Sequence, residues 1–292
     1  MRAARQRFTG FFWRHPWAKA LLLLAPPLLA FILVYLASLV ALFLSSFWTV
    51  DPFTSEVKHI WNVDNYKLLW DQGAYHSVAF RTIGIAAAVT VADAILAFPL
   101  GYFMARIASG RSRAFIFVAI LLPLWSSYLI RVYIWRIILD HNGVLNWSLQ
   151  KVGLPAANIG YTNWAVWLIF TYIWLPFMIV PVYGALERVP DSFLEASRDL
   201  GAGGWTTFRR IMLPLALPGV VAGSIFTFSL TLGDYITPLL AGGASSQFIG
   251  NVVYDSIGTQ QTPFAAAYAT VTLAVMAVYL LIARRLGAFD AL

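Results

Sequence analysis

Apolar residues fall in six long blocks, at about 20–47, 79–104, 114–138, 163–185, 214–240 and 264–285, with short polar stretches between them. A hydrocarbon core about 30 Å thick takes roughly 20 helical residues to cross, so each block is long enough to span as a helix. Helices are the economical solution because a backbone in lipid must satisfy its own hydrogen bonds. A β-barrel would instead show short alternating strands. The pattern predicts an all-α membrane protein with six transmembrane helices. The first apolar stretch, Lys19 to Phe47, follows a basic start but is about twice the length of a signal-peptide core, which predicts an uncleaved first helix.

Charge sets the orientation. Arg2, Arg5, Arg7, Arg14 and Lys19 precede the first block, and Arg106, Arg111 and Arg113 separate the second from the third. Arg188, Arg198, Arg209 and Arg210 separate the fourth from the fifth, and Arg284 and Arg285 follow the sixth. The positive-inside rule puts all four regions, and so both termini, in the cytoplasm. Residues 1–19 then form a cytoplasmic tail, and 20–292 one transmembrane domain with a cytoplasmic loop at 186–213. The opposite loops hold few Lys or Arg and several Trp and Tyr, as the outer interface requires.

Composition narrows the function classes. Only 11% of the 292 residues are charged and 60% are hydrophobic, which excludes an ordinary soluble domain. The net charge of +7 comes from residues at the ends of apolar blocks and forms no basic face, so nucleic acid is not an expected partner. With no cysteine, thiolate metal sites and cysteine nucleophiles are excluded. His15, His59, His76 and His141 lie in expected loops or tails, never two at metal-ligand spacing, so exposed surface is expected and no metal site. Prolines at 26, 27, 99, 123, 176, 181, 218 and 238 read as tolerated kinks packed against neighbouring helices.

The loop between blocks four and five reads as a short helix with explicit ends. Pro190 stops the incoming chain, Ser192 and Glu195 are spaced as a capping box, and Gly201 suits a left-handed cap. Phe193, Ala196, Ser197 and Leu200 share one small apolar face, with Glu195, Arg198 and Asp199 at its edges. Four acidic residues balance four basic ones across the loop, whereas a helix lying on a membrane surface favours an unbalanced basic face. The mixture suits docking into a groove on another protein.

Glu195, Ala196, Gly201, Ile211, Leu213 and Pro214 stand at the spacing of the EAA motif, and the loop resembles that of binding-protein-dependent ABC importer permeases; Ser197 replaces the motif's second Ala. The resemblance implies the type I importer permease fold and a coupling helix seated in a cytoplasmic ATPase, with Phe193, Glu195, Ala196, Ser197, Asp199, Leu200 and Gly201 at the contact. It also implies a second permease subunit, of a different chain, two ATPase subunits, an extracytoplasmic binding protein and a plasma-membrane location. The chain has no Gly-x-x-x-x-Gly-Lys-Ser/Thr loop, so ATP and its Mg are expected on the partner, with no cofactor and no catalytic residue here.

Two further stretches resemble the spermidine/putrescine branch, near its B-type subunit: Pro123 to Trp135 with Gly143 and Asn146, and Gly233 to Pro238 with Gly242-Gly243 and Ile249-Gly250-Asn251. Permeases for opines, aminoethylphosphonate, iron or thiamine share parts of these patterns. Within them, an organic polycation would find a carboxylate at Asp234 and aromatic faces at Tyr235, Trp125 and Tyr128. Asp234 could equally pair with Arg131 or Arg136. Asp93, mid-block two, is a further pathway candidate, although a hydrogen bond to another helix explains it better. An ATP-independent transporter would ask for ionisable relays within its helices, for which Asp93 alone is thin support, and no clustered nucleophile and base suggest an enzyme.

Overall fold

The computed structural model describes residues 16–244 and 246–287. The expected tail falls largely outside them, as do Arg2, Arg5, Arg7, Arg14 and His15. The first span, α1 (Ala20–Ser45), has no buried residue along its apolar window. A two-residue hairpin, β1 (Thr49–Val50) and β2 (Val57–Lys58), follows, with Thr49 opposite Lys58. Then come α2 (Asp64–Asp71) and the long α3 (Gly73–Arg106). On the far side of a short turn lie α4 (Gly110–Leu121), α5 (Tyr128–Leu139) and α6 (Val144–Lys151). The remaining elements are α7 (Asn163–Glu187), α8 (Asp191–Asp199), α9 (Gly204–Gly233), α10 (Ile236–Ala241), α11 (Ile249–Gly258) and α12 (Thr262–Arg285).

Five of these, α1, α3, α7, α9 and α12, are each long and apolar enough to cross a membrane. The third apolar block departs from expectation. Its two halves, Gly110–Trp125 and Tyr128–Lys151, are bent by 95° at a break, and only together do they supply the sixth span. The cause is local: Leu122–Trp125 tightens to a 3-10 turn with Pro123 inside it, and Ser126 and Ser127 leave helical geometry. Block five is interrupted too. The helix stops at Gly233, Asp234 turns extended, and α10 restarts at Ile236.

The centre is a three-helix contact of α3, α7 and α9. Val89 of α3 packs with Phe170 and Ile173 of α7 in one half. Ala97 and Met104 pack with Met178, Val182 and Leu186 of α7 and Met212 of α9 in the other half. Close approach of α7 to α9 depends on two glycines four residues apart. A Cβ on Gly219 would lie 2.6 Å from the Pro181 carbonyl oxygen, and one on Gly223 would lie 2.7 Å from the Met178 sulfur. Small residues at this spacing let helix backbones touch where lipid offers no hydrophobic drive for association. Pro176, Pro181 and Pro218 sit inside helices that continue through them, as expected of packed kinks.

Candidate functional site

The two breaks meet. Tyr128, the first residue of α5, reaches across to the turn between α9 and α10, where its hydroxyl donates to the Asp234 carboxylate and accepts from the Thr237 hydroxyl at 2.6 Å. The other Asp234 oxygen accepts from the Thr237 backbone N–H at 2.9 Å, closing the first turn of α10. Asp234 therefore pairs with a tyrosine and a backbone amide, not with Arg131 or Arg136 as an ion pair. The geometry explains why: Arg131 stands over the Tyr128 ring at 6.0 Å, while Arg136 turns outward to the Tyr161 hydroxyl at 3.0 Å. Asp234 and Tyr235 are half-buried.

Behind this turn stands α11. Its Asn251 side chain donates to the Tyr235 carbonyl at 2.8 Å and accepts from the Phe248 N–H at 3.1 Å. Gly250 lies so close that a Cβ there would come within 2.9 Å of the Asp234 carbonyl oxygen. The Tyr235 ring stacks on Tyr254 at 4.8 Å. Residues noted in the sequence only as part of a pattern, Gly250 and Asn251, thus hold the Asp234 turn in place.

Two other pathway candidates are not brought to this cluster. Trp125 is 92% exposed on the 3-10 turn, because the break between Trp125 and Tyr128 ends the helical spacing that would have aligned them. Asp93 is wholly buried between helices, and neither carboxylate oxygen has a hydrogen-bond partner, contrary to the expected helix–helix bond. The nearby threonine pair, Thr227 to Thr90 at 3.3 Å, satisfies itself instead. Among the histidines, His59 is exposed and tilts against Trp48, His141 is exposed, and His76 is half-buried against Trp70.

At the opposite end, α8 begins at Asp191 directly after Pro190, without a side-chain cap, so the Ser192–Glu195 capping box is not formed. Its C-terminus is as expected. Gly201 is left-handed (φ +73°), the Gly201 N–H bonds the Arg198 carbonyl at 2.8 Å, and the Ala202 N–H bonds that of Ser197 at 3.0 Å. This nested pair is a Schellman cap, open to glycine because it needs a positive φ. Phe193 (50% exposed), Glu195, Ala196, Asp199 and Leu200 (87% exposed) point outward. Ser197 does not belong to that face: it is buried and shares a 2.7 Å hydrogen bond with the Thr207 hydroxyl. Helical spacing could not separate position 196 from 197, since both lie near 193 on the helix wheel. Beneath α8 lies a cavity of about 710 Å³, lined by Phe98, Tyr102, Leu194, Arg198 and Phe208 among others.

Two arginines, which the sequence offered only as topology markers, tie this loop to the bundle. Arg106, at the end of α3, binds the Asp191 carboxylate at 2.5 Å and the Leu186 carbonyl at 2.8 Å, and also the Val189 carbonyl. Arg113 meets Glu187 at 3.2 Å, which also accepts from the Tyr183 hydroxyl at 2.7 Å. No local signal links residue 106 to residue 191; only the fold does.

Residues 97–289 match the family model described as binding-protein-dependent transport system inner membrane component. The chain belongs to that family. The permease is 46% identical to the inner membrane ABC transporter permease protein YdcU of Escherichia coli (strain K12), over 98% of this chain and 95% of that one. It is 34% identical to the spermidine/putrescine transport system permease protein PotB of the same organism, over 82% of this chain and 86% of that one. Its fold is shared with a bacterial alginate ABC transporter solved with an alginate pentasaccharide-bound periplasmic protein, with a TM-score of 0.73, 17% identity and 98% of each chain covered. The permease is therefore an all-α, multi-pass inner-membrane component of an ABC importer, and the family's part in the system is the membrane passage.

Proposed function

We propose that this permease forms half of the membrane passage of an ATP-driven importer for polyamines such as spermidine and putrescine, with Asp234 meeting an ammonium group. The observation that carries this reading is the Asp234 cluster. Its carboxylate lies at the junction of two broken spans, neutralised by no ion pair among the described residues and flanked by Tyr128 and Tyr235. Irregular backbone at membrane depth is tolerated where it is buried in protein or lines a cavity, and half-helix ends are where transporters coordinate charge. The carboxylate and the tyrosine faces suit an ammonium and its methylenes. Similarity to PotB supports the same solute class.

The working assembly in this reading contains a second permease of a different sequence, two ATPase subunits that hold ATP and Mg, and an extracytoplasmic binding protein. The outward face of α8, with Phe193, Glu195, Ala196, Asp199 and Leu200, docks on an ATPase, and both termini lie in the cytoplasm. Reporter fusions at Asn158 and Gln247 should read as external, and a cytoplasmic signal at either would sink that topology. The solute is tested by uptake into vesicles bearing the complete transporter. Asp234→Asn should keep its folded yield and lose polyamine uptake. Full polyamine uptake by that variant, or a cognate binding protein that ignores polyamines, would leave an importer of another solute.

A further inference from the structure

We propose that Arg106 is the positioning residue that transmits movement of α8 to the central helix α3. The inference rests on the reading that α8 docks on the ATPase. Over its middle, α8 packs on the core through Leu194, beside a cavity of which Leu194 and Arg198 form one wall and Phe98 and Tyr102 of α3 another. Its polar attachments to the bundle lie at its two ends. At its C-terminal end the attachment is to α9, through Ser197 and Thr207. At its N-terminal end the attachment is to α3, through Arg106.

The chemistry of that second attachment is specific. The Arg106 side chain is only 12% exposed, while that of Asp191 is 78% exposed. An exposed ion pair by itself holds little, because water competes for both partners. The guanidinium is fixed instead by two carbonyls, that of Leu186 in the last turn of α7, which also accepts from the Val189 N–H at 3.4 Å, and that of Val189 just beyond the helix. One planar group therefore grips the end of α7, the segment entering α8 and the first residue of α8, while its own backbone ends α3. A lysine could reach Asp191 but could not hold three acceptors in one plane. Arg106 touches none of the outward residues of α8, so its loss should leave docking intact and alter only what docking moves.

The test uses the complete transporter in liposomes, reading solute uptake and ATP hydrolysis on the same sample at matched permease content. Arg106→Gln should retain its ATPase subunits and hydrolyse ATP at close to the parent rate, with uptake per ATP reduced about tenfold, as expected for losing a set of charge-assisted hydrogen bonds. Asp191→Asn should lower the ratio about twofold, since it removes only the exposed pair. The double variant should fall no further than Arg106→Gln alone, and Arg106→Lys should lie between Arg106→Gln and the parent. An unchanged ratio in Arg106→Gln, or losses that multiply in the double variant, would overturn the inference. Should Arg106→Gln fail to fold, Asp191→Ala at the exposed end carries the test, and a parent-like ratio there counts against the strut. Failure of the docking reading looks different: Phe193→Asp with Leu200→Asp would then keep full ATPase content and full uptake.

Discussion

The cluster around Asp234 and the α8 loop solve opposite problems. At the Asp234 cluster, charge is half-buried and each Asp234 oxygen has a donor, with α11 packed behind the turn. At the α8 loop, apolar side chains stand exposed above a cavity, and polar contacts are confined to the helix ends. A carboxylate at membrane depth is costly unless held, so the first region must be rigid and closed upon itself. On the proposed reading that α8 receives a partner, its apolar face must stay open and its seat adjustable. Loss of a side chain that holds Asp234 in place should therefore matter for folding at the first region, and loss of an outward side chain for partnership at the second.

The largest expected effect lies at α8. Gly201→Asp forces a β-carbon into a left-handed position and places a charge beside the outward face. Permease insertion should be unchanged, while ATPase co-purification and uptake fall by more than tenfold, of the order set by losing a central interface contact. Glu195→Lys should act in the same direction. Normal ATPase retention in both would erase the contrast between the two regions.

Next comes the Asp234 cluster. Tyr128→Phe removes the hydroxyl that links Asp234 to Thr237 and should lower stability by about 1–3 kcal/mol, the cost of leaving a half-buried polar group without its donor. Asn251→Ala should cost a similar amount, since it loses both the Tyr235 and Phe248 contacts. Thermal unfolding in detergent measures both. Leu200→Ala, 87% exposed, should leave the midpoint unchanged in the same assay. If Tyr128→Phe proves as silent as Leu200→Ala, the Asp234 cluster is not the rigid element its hydrogen bonds imply.

Asp93→Asn sharpens the comparison from within the core. Neither oxygen of Asp93 has a partner, in contrast to Asp234, so replacing the acid with a neutral group of the same shape should leave yield equal or higher and uptake unchanged. Loss of uptake at full yield would return Asp93 to the pathway.

The smallest effect belongs to the β1–β2 hairpin, where Asp51 accepts from Lys58 and from the Phe53 and Thr54 amides, contacts that lower its pKa from 3.8 to about 2. A depressed carboxylate pKa contributes stability that is full above 3.8 and lost as pH falls towards 2. Asp51→Asn should therefore lower the hairpin's protease protection slightly at neutral pH, with uptake unchanged, and the difference should vanish in strong acid.

What the sequence determined by itself is what short-range spacing encodes. Long apolar blocks announce spans because lipid demands continuous apolar helices. The loop after Pro190 could be read as a short helix because its stop and its glycine cap are neighbours along the chain. Even there, the split of Ala196 from Ser197 waited for Thr207 to be placed. The pair Gly219 and Gly223 carried a visible small-residue spacing that would have marked the α7–α9 contact. Tertiary structure alone decided which breaks in two spans face each other, joining Tyr128 to Asp234 across 106 positions, and that Arg106 reaches Asp191 across 85. The physical reason is that an unpaired polar group in a membrane helix states a need for a partner without naming one. Which donor satisfies it depends on the angle at a helix break and on how closely two backbones approach, and these are settled only when all the helices are packed.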